Sequence, residues 1–105
     1  MTKLSQQDIS EANLPDWRHA EGELHARYQT GDFANGLAFV NAVGEVAEEA
    51  NHHPDVLLSY DHVELHLMSH DVGALTERDV QLARRISGIA QTRGIAAEPE
   101  AEQGQ

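Results

Sequence analysis

The sequence has no cysteine among its 105 residues. That excludes disulfides, thiolate catalysis and any zinc or iron–sulfur site built on sulfur. It also agrees with a reducing cytoplasm. Basic residues are scarce, with seven Lys and Arg against eighteen Asp and Glu and a formal net charge of −11. Such a field repels phosphate backbones, so no nucleic acid, no anionic membrane and no heavily phosphorylated substrate is expected as a direct partner. Met1 to Gln7 lacks the apolar core of a secretory leader. No apolar run approaches the roughly 20 residues of a membrane span. The expectation is a soluble, cytoplasmic protein.

What is present suits one small globular domain. Hydrophobic residues make up 40% of the chain, too many for a disordered segment. A chain of this size buries one modest core, so it gains from oligomerisation. Gly44, in the middle of an apolar-periodic segment, predicts close approach to a sheet or to a second subunit.

The punctuation of the chain predicts its elements. Leu4 to Leu14 reads as a short flanking helix, with Ser5 and Asp8 as a capping box and Pro15 as the stop. Trp17 to Thr30 reads as a hairpin turning at Glu21-Gly22, with Leu24, Ala26 and Tyr28 alternating against His25, Arg27 and Gln29. Asp32 caps a long helix to Asn51, whose apolar stripes hold Phe33, Leu37, Val40, Gly44 and Ala47 beside Phe39, Val43, Val46 and Ala50. Asp55 to Ser59 and His62 to Ser69 read as a second hairpin, with Val63, Leu65 and Leu67 on one face of its second strand. Thr76 to Arg93 reads as the last helix, capped by Thr76-Glu77-Arg78-Asp79 and ended by Gly94. The order α-β-β-α-β-β-α predicts an α+β two-layer sandwich. Its four-stranded antiparallel sheet would carry the helices packed on one face. The domain is expected over residues 1–94, and residues 95–105 as an acidic, mobile tail or an extra edge segment.

Proton-handling residues concentrate between Glu48 and Asp79. His52 and His53 stand at the exit of the long helix, where the dipole favours imidazolium. Glu48 can reach His52 on one helix face. A carboxylate beside an imidazole selects its tautomer, as general acid–base chemistry requires. His70 ends a strand and enters a Gly-containing loop, and Asp79 leans toward the buried side of the last helix. Each also has a plain structural explanation: a polar helix end, a solvated loop residue, a helix cap. Trp17, the single tryptophan, is a core anchor or a wall for a planar ligand. A metal site is not expected. His62, His66 and His70 share a strand face, but neighbours four apart lie ~13 Å from each other. His52 and His53 are too close in sequence to converge on one ion, and no H-x-x-x-H occurs on a helix. No serine stands in a nucleophile elbow.

Taken together, Glu48-x3-His52-His53-Pro54-x5-Tyr60-x9-His70-x8-Asp79 resembles the signature of the pterin-4a-carbinolamine dehydratases, also known as dimerisation cofactors of a homeodomain transcription factor. The resemblance runs from Leu4 to Arg93 and takes in Trp17, Gly22-Glu23-Leu24, Asp32-Phe33 and Leu75-Thr76-Glu77-Arg78-Asp79. It implies dehydration of a 4a-hydroxytetrahydropterin to the quinonoid dihydropterin, in tetrahydrobiopterin recycling after an aromatic amino-acid hydroxylase. Catalysis would fall to His52, His53 and His70. Glu48 and Asp79 would orient the imidazoles, and Trp17, His53 and Pro54 would hold the pterin. No metal or organic cofactor is implied. The family forms dimers and tetramers, so a homodimer or homotetramer is expected. The same family also implies an alternative, a non-catalytic protein-interaction or dimerisation module. Three positions depart from the pattern: Asn51 for an acidic residue, Val56 for an aromatic, and Ser69 for Thr.

Overall fold

In the computed structural model, which describes residues 2–98, the chain runs α1 (Gln6–Glu11), β1 (Arg18–Ala20), β2 (Glu23–Gln29), α2 (Phe33–Ala50), β3 (Asp55–Leu58), β4 (His62–Leu67), α3 (Glu77–Arg93) and β5 (Ala96–Ala97). The fold is α+β, an antiparallel sheet with helices packed on it. The capping residues read from the sequence carry the helix starts. Ser5 and Thr76 each close a reciprocal capping box, with Asp8 and Asp79, and the Asp32 carboxylate accepts from Asn35 N–H. Gly94 ends α3 in the left-handed region, which glycine enters without steric cost.

The strand order is β1-β2-β4-β3, with β5 added on β2 beyond the four-stranded arrangement expected. β5 pairs with Tyr28 and Gln29, and Ile95 and Ala97 pack against the core. The expected domain end at Gly94 therefore falls just before this last edge strand. Of the tail, residues 99–105 lie outside the described residues.

Glu21 and Gly22 both have positive φ, the pattern of a type I′ hairpin turn. Register then follows from the hydrophobic alternation. Leu24, Ala26 and Tyr28 of β2 pair with Leu67, Leu65 and Val63 of β4, and all six are buried. A slip of one residue would turn this row out to the other face. Against it pack Phe39 and Val43 of α2 and Leu82, Ala83, Ile86 and Ala90 of α3. Tyr28 meets Phe39 edge to face at 5.2 Å and donates its hydroxyl to Asp16 at 2.8 Å. Burial pushes the Tyr28 phenol well above its usual range.

The apolar stripe of α2 is narrower than its sequence suggests. Phe33, Leu37 and Gly44 are exposed, while Gly36, Phe39, Val43 and Ala47 are buried. Close approach to the sheet is made by Gly36, not by Gly44. A Cβ on Gly36 would stand 2.8 Å from Leu58 Cδ1 and 3.2 Å from Thr30 Oγ1, whereas one on Gly44 would meet nothing within 4 Å. Gly44→Ala is therefore expected to stabilise the chain by about 0.5–1 kcal/mol through helix propensity. Urea denaturation would measure this, and a loss of stability would mean that a second chain packs on this face.

Candidate active site

The long helix must stop before Pro54. Asn51 makes the stop, with φ of 51° in the left-handed region, a conformation Asn tolerates better than most residues. That gives the first departure from the family signature a conformational role. The reversal sends the next two side chains apart. His52 turns inward and is buried, and His53 stays exposed. The backbone N–H of His52 donates to Ala47 O at 3.1 Å, which anchors the exit.

At the start of α3, Asp79 is fully buried. Its Oδ1 lies 2.6 Å from His52 Nε2, and its Oδ2 accepts from Ser69 Oγ at 2.8 Å and from Thr76 N–H at 2.9 Å. An ionised carboxylate only accepts, so His52 carries a proton on Nε2, and in the neutral imidazole Nδ1 is then the acceptor. The remaining hydrogens follow. Ser69 spends its hydroxyl proton on Asp79, so Thr76 Oγ1–H donates to Ser69 Oγ across their 2.8 Å contact. Thr76 Oγ1 in turn accepts from Arg78 N–H at 3.3 Å. Ser69 supplies the one hydroxyl this network requires of it, so a threonine methyl at that position is dispensable to it.

Glu48 does not take His52, as helix spacing allowed, because His52 has turned away. Its Oε2 lies 2.5 Å from His53 Nε2. His70 follows Ser69 in the tight turn closed by the Ser69–Ala74 bridge. It is exposed and, among the described residues, has no hydrogen-bond or ion-pair partner.

A cleft of about 410 Å³ opens beside His52, lined by Ala50, Glu77, Arg78, Gln81, Leu82 and Arg85. Arg85 reaches Glu49 at 2.6 Å and so spans the rims of α2 and α3. Arg78 Nη2 donates to Asp71 Oδ1 at 2.6 Å, tying the turn that bears His70 to the rim of the cleft. His53, Pro54, His70 and Trp17 do not line this cleft. His53 faces a shallower groove with Glu48, Asn41 and Gly44. Pro54 is half-buried and leads into β3. Trp17 is buried in the core, donates Nε1–H to Ser87 at 3.0 Å and borders a separate cleft with Ile9, Pro15 and His19. It thus packs in the core and presents part of its ring to this second cleft. In sequence Arg78 reads as part of the helix-capping signature and nothing marks Gln81 or Arg85; the packing of α3 beside α2 brings all three to this cleft.

The Arg78 bond holds the exposed Asp71 carboxyl below its ordinary value. A depressed carboxyl stabilises the fold above its unfolded value and loses that contribution as pH falls through the depressed one. NMR titration of Asp71 should thus give a midpoint below the usual Asp value of about 3.9. Arg78→Gln should raise it toward that value and loosen the His70 turn.

Residues 2–89 match the family model described as pterin 4 alpha carbinolamine dehydratase. The chain belongs to this family. Curated relatives carry the dehydratase name provisionally. One from Thermosynechococcus vestitus is 41% identical over 90 residues, 84% of this chain and 95% of its own. One from Acidobacterium capsulatum is 42% identical over 91 residues, 85% and 99% of the two chains. Among solved structures, the Brucella melitensis transcriptional coactivator/pterin dehydratase superposes with a TM-score of 0.80 at 26% identity, covering 85% of this chain and 99% of that one. A pterin dehydratase-like protein identified as a RuBisCO assembly factor in the alpha-carboxysome gives 0.60 at 26% identity, covering 71% and 89%. The carbinolamine dehydratase fold accounts for the layout of helices and strands found here. Among the described residues no helix is long and apolar enough to cross a membrane.

Proposed function

We propose that this chain dehydrates a 4a-hydroxytetrahydropterin at the cleft beside His52. The observation that carries this reading is the buried His52–Asp79 pair, with the His52 tautomer set by a carboxylate that has no other role for its Oδ1. In the reaction the N5–H proton leaves, the N5 electron pair forms the C4a=N5 bond, and the C4a hydroxyl departs as water after gaining a proton. One proton is taken and one given. His52 Nδ1 is suited to take the N5 proton, since Nε2–H stays committed to Asp79. The second imidazole is His70, outside the cleft lining but on the turn that Arg78 ties to its rim, and His53, held by Glu48 in the neighbouring groove, is a pterin contact for a ligand that extends beyond the cleft. The cleft volume lies within the range of small-molecule sites. Its Arg78, Gln81 and Arg85 donors suit the carbonyl and ring nitrogens of a neutral heterocycle. No metal or organic cofactor enters the chemistry. The reaction would deliver quinonoid dihydropterin to a separate reduction step that completes tetrahydrobiopterin recycling after hydroxylase turnover, in the cytoplasm.

The chain is proposed to work as a homodimer or homotetramer. Val56 and Leu57 on the edge strand β3, Tyr60 in its turn, and Phe33 and Leu37 of α2 are large apolar groups left exposed. The decisive assay follows loss of a freshly generated 4a-hydroxypterin with and without the protein. No acceleration would sink the reading.

The likeness to a RuBisCO assembly factor favours a second reading, a protein-interaction module on the same scaffold. The His52, His53 and His70 triple alanine variant separates the two. Undiminished partner capture and an unchanged phenotype would favour the module.

A further inference from the structure

The sheet face turned away from α2 and α3 carries a second cluster of titratable groups, which the dehydration does not use. Because side chains alternate along a strand, His25 of β2 and His66 of β4 share this face, and the two are cross-strand partners. Their rings stack at 4.0 Å between centroids and 11° between planes. Glu23, two residues along β2, extends its carboxylate to both. Its Oε1 lies 3.0 Å from His25 Nε2 and 3.5 Å from His66 Nδ1.

We propose that Glu23, His25 and His66 form a binding site for a divalent transition metal of the zinc class. The three donor atoms lie within 4.8 Å of one another. Bonds of about 2.0–2.1 Å to a tetrahedral ion set its ligand atoms roughly 3.3 Å apart. The two carboxylate–imidazole separations already bracket that spacing. The donor set, two imidazoles and one carboxylate without sulfur, suits Zn²⁺, Co²⁺ or Ni²⁺ better than Ca²⁺ or Mg²⁺. Three protein ligands leave the fourth position to water.

One adjustment is needed. Each imidazole lone pair lies in its own ring plane, so two stacked rings cannot address one ion until one of them turns. The side chain of His66 is 39% exposed and has room to turn, while that of His25, at 11%, stays as the fixed ligand. β2 and β4 are paired in the interior of the sheet, so the backbone beneath the site is rigid. Spacing along one strand could not reveal this site, because its ligands come from two strands.

The test is calorimetric titration of the untagged full chain with ZnCl₂. One zinc per chain is expected. Affinity should fall at least ~10-fold in Glu23→Gln and in His66→Gln, and stay within twofold in His53→Gln. On addition of zinc to the unsubstituted protein, imidazole nitrogen NMR signals of His25 and His66 should shift first. Absence of stoichiometric binding, binding that survives both Glu23→Gln and His66→Gln, or first shifts at His52 and His53 would each overturn the proposal. The readout is binding, so it stands or falls separately from the dehydratase assay.

Discussion

Asp79→Ala is expected to remove about 3–5 kcal/mol of stability, because it leaves three buried donors without their acceptor. Three donors converge on this carboxylate: His52 Nε2–H, Ser69 Oγ–H and Thr76 N–H. Without it, each is left buried and unpaired, at about 1–3 kcal/mol apiece before water or side chains rearrange. The Thr76 N–H bond lost here is one half of the α3 capping box. A domain with about 5–15 kcal/mol in hand would be left near its limit. Urea denaturation measures the loss, and a value under about 1 kcal/mol would show that the network is not what ties the start of α3 to the exit of α2. Asp79→Asn gives the contrasting case. Its shape is retained, but one carboxylate oxygen becomes an NH₂, which cannot accept from His52 or Ser69. The fold should survive, while the His52 tautomer loses its determinant. On the dehydratase reading the rate then falls although the cleft is still formed.

His52→Ala is expected to slow 4a-hydroxypterin dehydration by at least ~10²-fold, the scale of a lost acid–base group. The protein should remain folded. The helix exit rests on the backbone bond from His52 N–H to Ala47 O, which alanine keeps, and Asp79 retains its other two donors. The space vacated by the ring opens to the cleft and can take water. His70→Ala should cost a similar factor with no change in stability, because that side chain is exposed and unpartnered among the described residues. If both variants keep full rate and fold, proton transfer does not run through these imidazoles, and the interaction-module reading gains.

The order of elements and the core were legible before any coordinates because they depend on local chemistry. Ser5, Asp32 and Thr76 are caps wherever they precede a helical segment, and Gly22 and Gly94 supply the positive φ that a turn and a helix end demand. The strict alternation in β4 left one face for the core. The width of the α2 face was less legible. Phe33 and Leu37 are apolar at helical spacing, yet they lie beside the buried line of Gly36, Phe39, Val43 and Ala47 and stay exposed. Gly36 looked unremarkable beside Gly44, because only the packed Leu58 and Thr30 show which glycine is required.

By itself, then, the sequence determined the family, the α+β class, and the short set of residues able to move protons: His52, His53, His70, Glu48 and Asp79. Only the tertiary structure decided how they pair. The left-handed turn at Asn51 sends His52 into the interior toward Asp79 and leaves Glu48 to His53, reversing the partner that helix spacing offered. It also moved Trp17 away from the His52 cleft, put Arg78 and Arg85 into it, and joined His25 to His66 across two strands. The physical reason is common to all of these. Caps, turns and alternation act between residues near in sequence, whereas which imidazole meets which carboxylate depends on strand register and on the direction of the chain leaving a helix, and those are set by burial of the whole core.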